Sequence, residues 1–151
     1  MLFRSAFMAK SYSGMVALHG DLSNYYFQIP IPQSQYHNHC FLVNKELYAW
    51  KVLTMGFFKA TSIAEALCIH LVLSGGPESE FSDSPNGLIH LSTGGLVVVI
   101  YDSFLLIERP SIVAEYKKRI VENCTIAKAK LKYIQVSNLE EPFEYCGFTL
   151  V

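Results

Sequence analysis

Apolar residues recur along this chain with the spacings of both strands and helices. Leu96–Ile100 and Phe104–Ile107 are apolar at consecutive positions, and such runs are typical of strands buried on both faces. Thr61–Leu73 and Pro110–Asn123 carry apolar residues at helical spacing instead. The pattern therefore predicts a mixed α and β domain. The other predicted strands are Met15–Leu22, Cys40–Val43, Leu47–Leu53, Lys130–Val136 and Phe143–Val151.

The polar stretches between these elements predict turns and one long connection. Residues 74–94 are rich in Gly, Ser, Pro and Asp, a composition with too little apolar area to offset the entropy of ordering. We therefore expect an irregular insertion there, within a single domain that spans residues 1–151. Asn44–Glu46 suits the loop of a hairpin, and Ser62 followed by Glu65 predicts a capping box on the first helix.

Composition and charge narrow the class of protein. Hydrophobic residues make up 51% of the chain and charged residues 17%, so a disordered chain or a coiled coil is excluded. With a formal net charge of −1, the chain lacks the positive electrostatic field of an autonomous nucleic-acid binder. Lysines and one arginine concentrate between residues 117 and 132, and a solvated helix face is the simplest explanation of such a run.

No segment of the sequence has the length of a membrane span. The longest apolar stretch, Gly95–Ile107, is interrupted by Asp102 and Ser103 and is shorter than the roughly 20 residues that a transmembrane helix needs. The N-terminus has no continuous apolar run of the kind found in secretory signals. We therefore expect an intracellular protein, in the cytoplasm or the nucleus, with no membrane partner.

The cysteines and histidines do not form a metal-binding pattern. The four cysteines are widely separated, with no Cys-x-x-Cys pair, so reduced thiols are favoured over zinc ligands. His37 and His39 lie two residues apart beside Cys40. On a strand the histidines and the cysteine would face opposite ways, and we interpret them as the polar end of a strand.

Two aspartates are the first candidates for chemistry. Asp21 and Asp102 each follow an apolar strand, where an ionised carboxylate is costly unless a cation or hydrogen-bond donors compensate it. If the strands ending at Asp21 and Ile100 are neighbours, both carboxylates lie at the same end of the sheet and can share a divalent cation. The alternative is that each Asp is a simple turn residue.

Four ordered blocks of the sequence share a pattern with one enzyme family. The first is residues 21–30, where Tyr26 follows Asp21 by five positions and Gln-Ile-Pro closes the block. The second, residues 48–57, reads Tyr-Ala-Trp-Lys-Val-Leu-Thr-Met-Gly-Phe. The third is Tyr-Asp-Ser at 101–103, and the fourth runs from Asn123 through Lys130 to Phe148. In this order the blocks resemble the palm of a reverse transcriptase of the retrotransposon and retrovirus type.

The resemblance implies a metal site. In the family, the carboxylates that match Asp21 and Asp102, with the main-chain carbonyl that matches Leu22, hold two Mg²⁺ ions, or Mn²⁺ in their place. Ser103 stands where the family has a second Asp, and its hydroxyl is a further, poorer candidate ligand of the metal site. Because magnesium commonly uses one or two carboxylates plus substrate phosphates, the loss of the third carboxylate is expected to weaken the site without abolishing it.

The resemblance also implies nucleotide-binding and catalytic residues. Tyr26 matches the ring that lies beneath the deoxyribose, and Tyr25 is placed in the same nucleotide site, with simple packing as the alternative for both. Met55 and Gly56 match the segment that approaches the incoming nucleotide, where glycine allows close backbone contact. Lys130 matches a lysine that protonates the leaving pyrophosphate, although a solvated charged run is the alternative, since lysines flank it on both sides.

The implied fold is an α+β polymerase palm, an antiparallel sheet backed by two helices. The implied function is RNA-directed DNA synthesis, a two-metal nucleotidyl transfer that adds dNTP to a primer on an RNA or DNA template. We expect fingers, thumb and RNase H to be supplied by a longer polyprotein, and residues 1–151 alone to be inactive. The alternatives are a decayed, non-catalytic palm and an RRM-like interaction module, although the sequence has no match to the aromatic RRM signature.

Overall fold

A computed structural model describes residue 12 and residues 14–76, 88–146 and 148–150 of the 151-residue chain. The strands are β1 (Val16–Leu22), β2 (Cys40–Val43), β3 (Glu46–Ala49), β4 (Leu88–His90), β5 (Leu96–Ile100), β6 (Ser103–Glu108), β7 (Leu131–Asn138), β8 (Phe143–Tyr145) and β9 (Phe148–Leu150). The α-helices are α1 (Tyr25–Gln28), α2 (Ala60–Leu73) and α3 (Pro110–Ile126), and a 3-10 helix covers Gln33–His39.

Five strands form one antiparallel sheet in the order β4-β5-β6-β1-β7. This arrangement confirms the α+β class and the antiparallel sheet expected from the sequence. The backbone of β1 lies close to its neighbours at Gly20, where an added Cβ would stand 2.5 Å from the Phe104 ring and 2.8 Å from the Tyr133 carbonyl oxygen. Only glycine fits at that position.

The sheet is covered on both faces. On one face, Leu18 and Leu106 share a buried cluster with residues of α2 and α3 such as Cys68 and Ile120. On the other face, neighbouring strand residues pack with Tyr145 of β8. The consecutive apolar residues of β5 and β6 therefore contact two cores, as the sequence predicts for strands buried on both sides.

The structure corrects two of the predicted boundaries. The predicted insertion at 74–94 is not irregular throughout, because Leu88–His90 forms an edge strand that buries Leu88 and Ile89; residues 77–87 lie outside the described residues. A single strand over Phe143–Val151 is also wrong. Cys146 has a φ of 50°, which turns the chain between β8 and β9 and pairs the two short strands with each other.

The predicted capping box is absent from the first long helix. The helix α2 begins at Ala60, its N-cap is Lys59, and no side chain caps it. Glu65 accepts a hydrogen bond from another part of the chain, the backbone N–H of Tyr101. No helix in the described part of the chain is long and apolar enough to span a membrane.

A separate two-stranded sheet precedes most of the second block, and in it β2 pairs with β3. Its loop is shorter than predicted, because Val43 pairs with Glu46 and only Asn44 and Lys45 turn the chain. The two histidines before it lie in the 3-10 helix rather than on a strand, and the ring of His39 packs 4.5 Å from that of Phe57. No disulfide joins the four cysteines, all of which lie in the described ranges.

Candidate active site at one end of the sheet

The structure brings Asp21 and Asp102 to the same end of the five-stranded sheet. Asp21 lies opposite Ser103 in the β1–β6 pairing, and Asp102 occupies the turn that joins β5 to β6. The prediction that the strands ending at Asp21 and Ile100 are neighbours is wrong, because β6 lies between β1 and β5. The turn is two residues long, so Asp102 nevertheless lies beside Asp21.

Backbone and side-chain hydrogen bonds hold these two aspartates beside each other. The Leu22 N–H donates to the Asp102 carbonyl at 2.9 Å, which ties the end of β1 to the turn. The pairing of β1 with β7 shifts register between Asp21 and Leu22. The Ser103 hydroxyl donates to Oδ1 of Asp21 at 3.3 Å. Ser103 is thus a hydrogen-bond donor to the first carboxylate.

The two carboxylates oppose each other electrostatically. Burial raises the pKa of Asp102, the negative charge of Asp21 raises it further, and a hydrogen bond between the two carboxyl groups acts in the same direction. A hydrogen bond from the Asp102 backbone lowers this pKa, and so does the Lys132 ammonium, which is the last of the causes. A cation between two such carboxylates would remove their repulsion. The pair therefore has the chemistry of a site for a hard divalent cation, which takes oxygen ligands.

The donor set at this end of the sheet is small. Within the described ranges, no group of three or more His, Cys, Asp or Glu side chains is placed to hold a metal ion. Two carboxylates and a backbone carbonyl fit a magnesium ion that completes its shell with water and substrate phosphates, as magnesium commonly does. They do not fit a closed structural metal site, which takes all its ligands from the protein.

The two tyrosines after Asp21 have different surroundings. Tyr25 is 4% exposed and belongs to the core cluster under the site, so its ring is not presented to solvent. Burial raises the pKa of Tyr25, and the nearby Cys68 and Cys124 thiols act in the same direction. Tyr26 is half-buried and packs against the edge of that cluster. Of the two, only Tyr26 is exposed enough to contact a bound nucleotide.

The other predicted site residues, Met55, Gly56 and Lys130, lie on connections between helices and strands. Met55 is 72% exposed, and no atom lies within 4 Å of a Cβ built on Gly56, so both are open to solvent. The backbone of Lys130 is fixed beside α1, because its carbonyl accepts from the Ser23 N–H at 2.8 Å and its N–H donates to Oε1 of Gln28 at 2.7 Å. This places Lys130 next to the segment that follows the first aspartate.

Sequence reasoning missed two charged residues near the site. Glu65 of α2 holds the backbone of the β5–β6 turn, and the Lys132 ammonium acts on the Asp102 carboxyl group. The capping-box spacing assigned Glu65 to its own helix, and Lys132 was part of a run that suits a solvated face. In neither case did the local pattern carry a signal of the contact across the fold.

Searches with the sequence found no match, whereas comparison of structures did. No family model and no curated protein matches the chain. Protease-reverse transcriptase of prototype foamy virus, in its native crystal structure, superposes with a TM-score of 0.62 at 18% identity over 89% of this chain. The fold is similar to part of a reverse transcriptase. The foamy viral enzyme in complex with an RNA/DNA hybrid gives a TM-score of 0.59 at 15% identity over 89% of this chain.

The match covers a small part of the viral protein. The chain spans 16% of the native foamy virus protein. In the complex with double-stranded DNA it spans 24% of the matched chain, with a TM-score of 0.53, 17% identity and 89% of this chain covered. At these identities the comparison establishes the fold alone: the chain has a fold like that of part of a reverse transcriptase.

Proposed function

We propose that this chain is the palm of an RNA-directed DNA polymerase, which transfers a deoxynucleotide to the 3′ hydroxyl of a primer. The observation that carries the proposal is the contact between Asp21 and Asp102, which lie 81 positions apart in the sequence and meet at one end of the sheet. Two half-buried carboxylates in contact are costly unless a positive charge compensates them. Bound Mg²⁺ or Mn²⁺ would activate the primer hydroxyl and stabilise the charge of the transferring phosphate.

Each residue of the site has a proposed role in this reaction. Asp21 and Asp102, with the Leu22 carbonyl, hold the cation, and the Ser103 hydroxyl orients Asp21. Tyr26 contacts the sugar of the incoming nucleotide. Met55 and Gly56, both exposed, line the approach of that nucleotide, and Lys130 donates a proton to the departing pyrophosphate.

The proposed partners are an RNA or DNA template-primer and dNTP. Two of the similar structures hold an RNA/DNA hybrid or double-stranded DNA, which supports a nucleic-acid substrate. With a formal net charge of −1, the chain has little positive surface for a duplex, whose phosphates dominate affinity. We therefore propose that fingers, thumb and RNase H from a longer polyprotein hold the template-primer over this palm.

Ser103 favours a second candidate, a palm that keeps the fold without catalysis. A neutral hydroxyl is a poorer ligand for a hard divalent cation than a carboxylate. In the structure it donates to Asp21, which stabilises that carboxylate in the absence of metal. The two candidates differ in whether the carboxylate pair binds a cation at all.

Metal affinity separates the two candidates. We expect the chain to bind Mn²⁺ weakly, as followed by electron paramagnetic resonance of the free ion. Ser103→Asp should tighten binding by about tenfold or more, since a charged ligand adds well over 1 kcal/mol to a partly buried site. Asp102→Asn should abolish binding. Glu115→Gln, at an exposed position of α3, is the matched control and should leave the affinity unchanged.

Two results would reject the polymerase proposal. One is the absence of Mn²⁺ binding in both the wild type and the Ser103→Asp variant, which would favour the non-catalytic palm. The other is equal binding by the wild type and Asp102→Asn, which would place the ion elsewhere. A primer-extension assay on a longer protein with fingers and thumb then tests the reaction itself, and residues 1–151 alone should give no extension, because positioning contributes roughly 7–11 kcal/mol to such catalysis.

A further inference from the structure

The β5–β6 turn that carries Asp102 has an unfavourable backbone conformation. Ile100 pairs with Ser103, so Tyr101 and Asp102 alone reverse the chain. Tyr101 has a φ of 56°, in the left-handed region that bulky residues rarely adopt and that glycine adopts readily. Without other contacts, a tyrosine at this position would favour a different turn and would move the adjacent carboxylate.

Two contacts from different elements hold this turn. From β1, the Leu22 N–H donates to the Asp102 carbonyl at 2.9 Å. From α2, the Glu65 carboxylate accepts the Tyr101 N–H through Oε1 at 3.2 Å. The backbone of each turn residue makes one of these contacts, and of the two the one to Tyr101 comes from a side chain. The turn conformation therefore depends on the residue type at position 65.

Glu65 lies in the same neighbourhood as the two aspartates. Burial is the largest cause that raises the pKa of the Cys68 thiol, and the negative charges of Asp102, Asp21 and Glu65 all raise it further. All three carboxylates therefore act electrostatically on one buried thiol of α2. Glu65 is itself half-buried, whereas Tyr101 is 48% exposed, so the hydrogen bond between them lies at the surface.

We propose that Glu65 is a positioning residue that fixes the Tyr101–Asp102 turn and so directs the Asp102 carboxylate toward Asp21. The inference deepens the proposed function, on which it rests. Glu65 acts through the backbone of Tyr101, and it is not a cation ligand in this geometry, since it completes no metal-binding group with the aspartates in the described part of the chain. A hydrogen bond to a charged acceptor is among the stronger ones in proteins.

The test compares variants of Glu65 that keep or remove the hydrogen-bond acceptor. Glu65→Gln keeps an acceptor oxygen and removes the charge. Glu65→Met removes both, with similar length and similar helix propensity. Glu115→Met, on an exposed position of α3, is the control for a Glu-to-Met change on a helix. The two measurements are amide hydrogen exchange at Tyr101, followed by NMR, and Mn²⁺ affinity of the full chain.

We expect Glu65→Met to speed exchange of the Tyr101 amide by about tenfold or more, because the amide loses a hydrogen bond to a charged group. The same variant should bind Mn²⁺ several-fold more weakly. Glu65→Gln should keep most of the protection and most of the affinity, and Glu115→Met should change neither. In a Tyr101→Gly background, the effect of Glu65→Met on Mn²⁺ affinity should shrink, because glycine adopts the left-handed conformation without help.

Unchanged exchange at Tyr101 in Glu65→Met would overturn the proposal. So would an equal loss of Mn²⁺ affinity in Glu65→Gln and Glu65→Met, since Glu65 would then act by its charge. If neither the wild type nor the Ser103→Asp variant binds Mn²⁺, the polymerase proposal fails, while the exchange measurement still decides whether Glu65 holds the turn. If Glu65→Met does not fold, Glu65→Ala offers a second variant without an acceptor.

Discussion

The five-stranded sheet and the β2–β3 hairpin both contain short runs of apolar, β-favouring residues, but these runs are buried in the sheet and exposed in the hairpin. Phe104–Ile107 in β6 is at most 1% exposed at every position. In the hairpin, by contrast, Leu42 is 70% exposed and Leu47 is 69% exposed, and every residue of β2 is open to solvent. A short run of apolar, β-favouring residues therefore identifies a strand without specifying whether that strand is buried.

The difference lies in what each strand packs against. The strands of the large sheet contact two helices on one face and a second apolar cluster on the other. An isolated two-stranded sheet is marginally stable in water. The hairpin is supported by aromatic rings on its own strands and beside them. Phe41 stacks on Tyr48 at 5.9 Å and lies 5.3 Å from Trp50, which follows β3. Trp50 in turn lies 6.3 Å from Phe27 of α1.

The largest expected effect is a difference in stability loss between two substitutions, one of a buried phenylalanine in the sheet and one of a more exposed phenylalanine in the hairpin. Phe104→Ala removes a ring that is 1% exposed and should lower the free energy of unfolding by about 3–5 kcal/mol. Phe41→Ala removes a ring that is 37% exposed and should cost about 1 kcal/mol or less, the size of a cross-strand pair. Urea denaturation followed by far-ultraviolet circular dichroism measures both. Equal losses would show that the hairpin belongs to the same cooperative core.

Substitutions at two glycines compare a closely packed segment of backbone with one that is open to solvent. Gly20→Ala places a Cβ 2.5 Å from the Phe104 ring, and we expect it to cost about 1–3 kcal/mol as overpacking. Gly56→Ala, in the connection after the hairpin, meets no atom within 4 Å and should change the urea midpoint little. If Gly20→Ala leaves the free energy of unfolding unchanged, β1 and β6 can move apart without loss of stability.

A smaller effect is expected at the carboxylate pair. Because the pKa of Asp102 is raised in the folded chain above its ordinary value of 3.8, the stability contributed by this group is complete below about pH 3.8 and is lost as pH rises through the folded pKa. At pH 7 the ionised carboxylate therefore opposes folding. Asp102→Asn should raise the urea midpoint at pH 7 and leave it unchanged below pH 3.8.

The effect is smaller than at Gly20 because the Asp102 side chain is only partly buried and water screens its charge. Glu115→Gln is the control and should show no such dependence on pH. A lower midpoint for Asp102→Asn at neutral pH would mean that Asp102 is stabilised as an anion, by Lys132 or by other donors. In that case the pair would not need a cation.

The elements could be predicted from the sequence because their signals are local. Periodicity and turn residues lie within a few positions of one another, so β1, β5, β6 and both long helices were predicted nearly at their observed positions. The edge strand β4 was missed because its three residues follow a stretch of polar and turn-forming residues, and its burial comes from pairing with β5.

The site was predictable only where a family pattern supplied long-range information. The contact of Ser103 with Asp21 joins residues 82 positions apart, and motif order suggested it. The contact of Glu65 with Tyr101 spans 36 positions and has no counterpart in any local pattern. Tyr25 and Tyr26 are adjacent and equally aromatic, and only packing distinguishes the buried ring from the half-buried one.

The smallest expected effect concerns the hairpin turn. Asn44 and Lys45 have φ values of 51° and 69°, and they form a two-residue hairpin loop in which Asn-Gly is the favoured pair. Asparagine tolerates the left-handed region, whereas lysine adopts it at an energetic cost. Lys45→Gly should therefore stabilise the hairpin locally by about 0.5–1 kcal/mol. This change corresponds to amide exchange about two to five times slower in β2 and β3.

The global urea midpoint should stay the same in this variant, because the hairpin has few contacts with the large sheet and opens on its own. Lys51→Gly, outside the turn, is the control and should not slow exchange in the hairpin. A rise in the global midpoint with Lys45→Gly would show that the hairpin and the sheet unfold together. The sheet and the hairpin would then differ in how exposed their side chains are, but they would unfold as one cooperative unit.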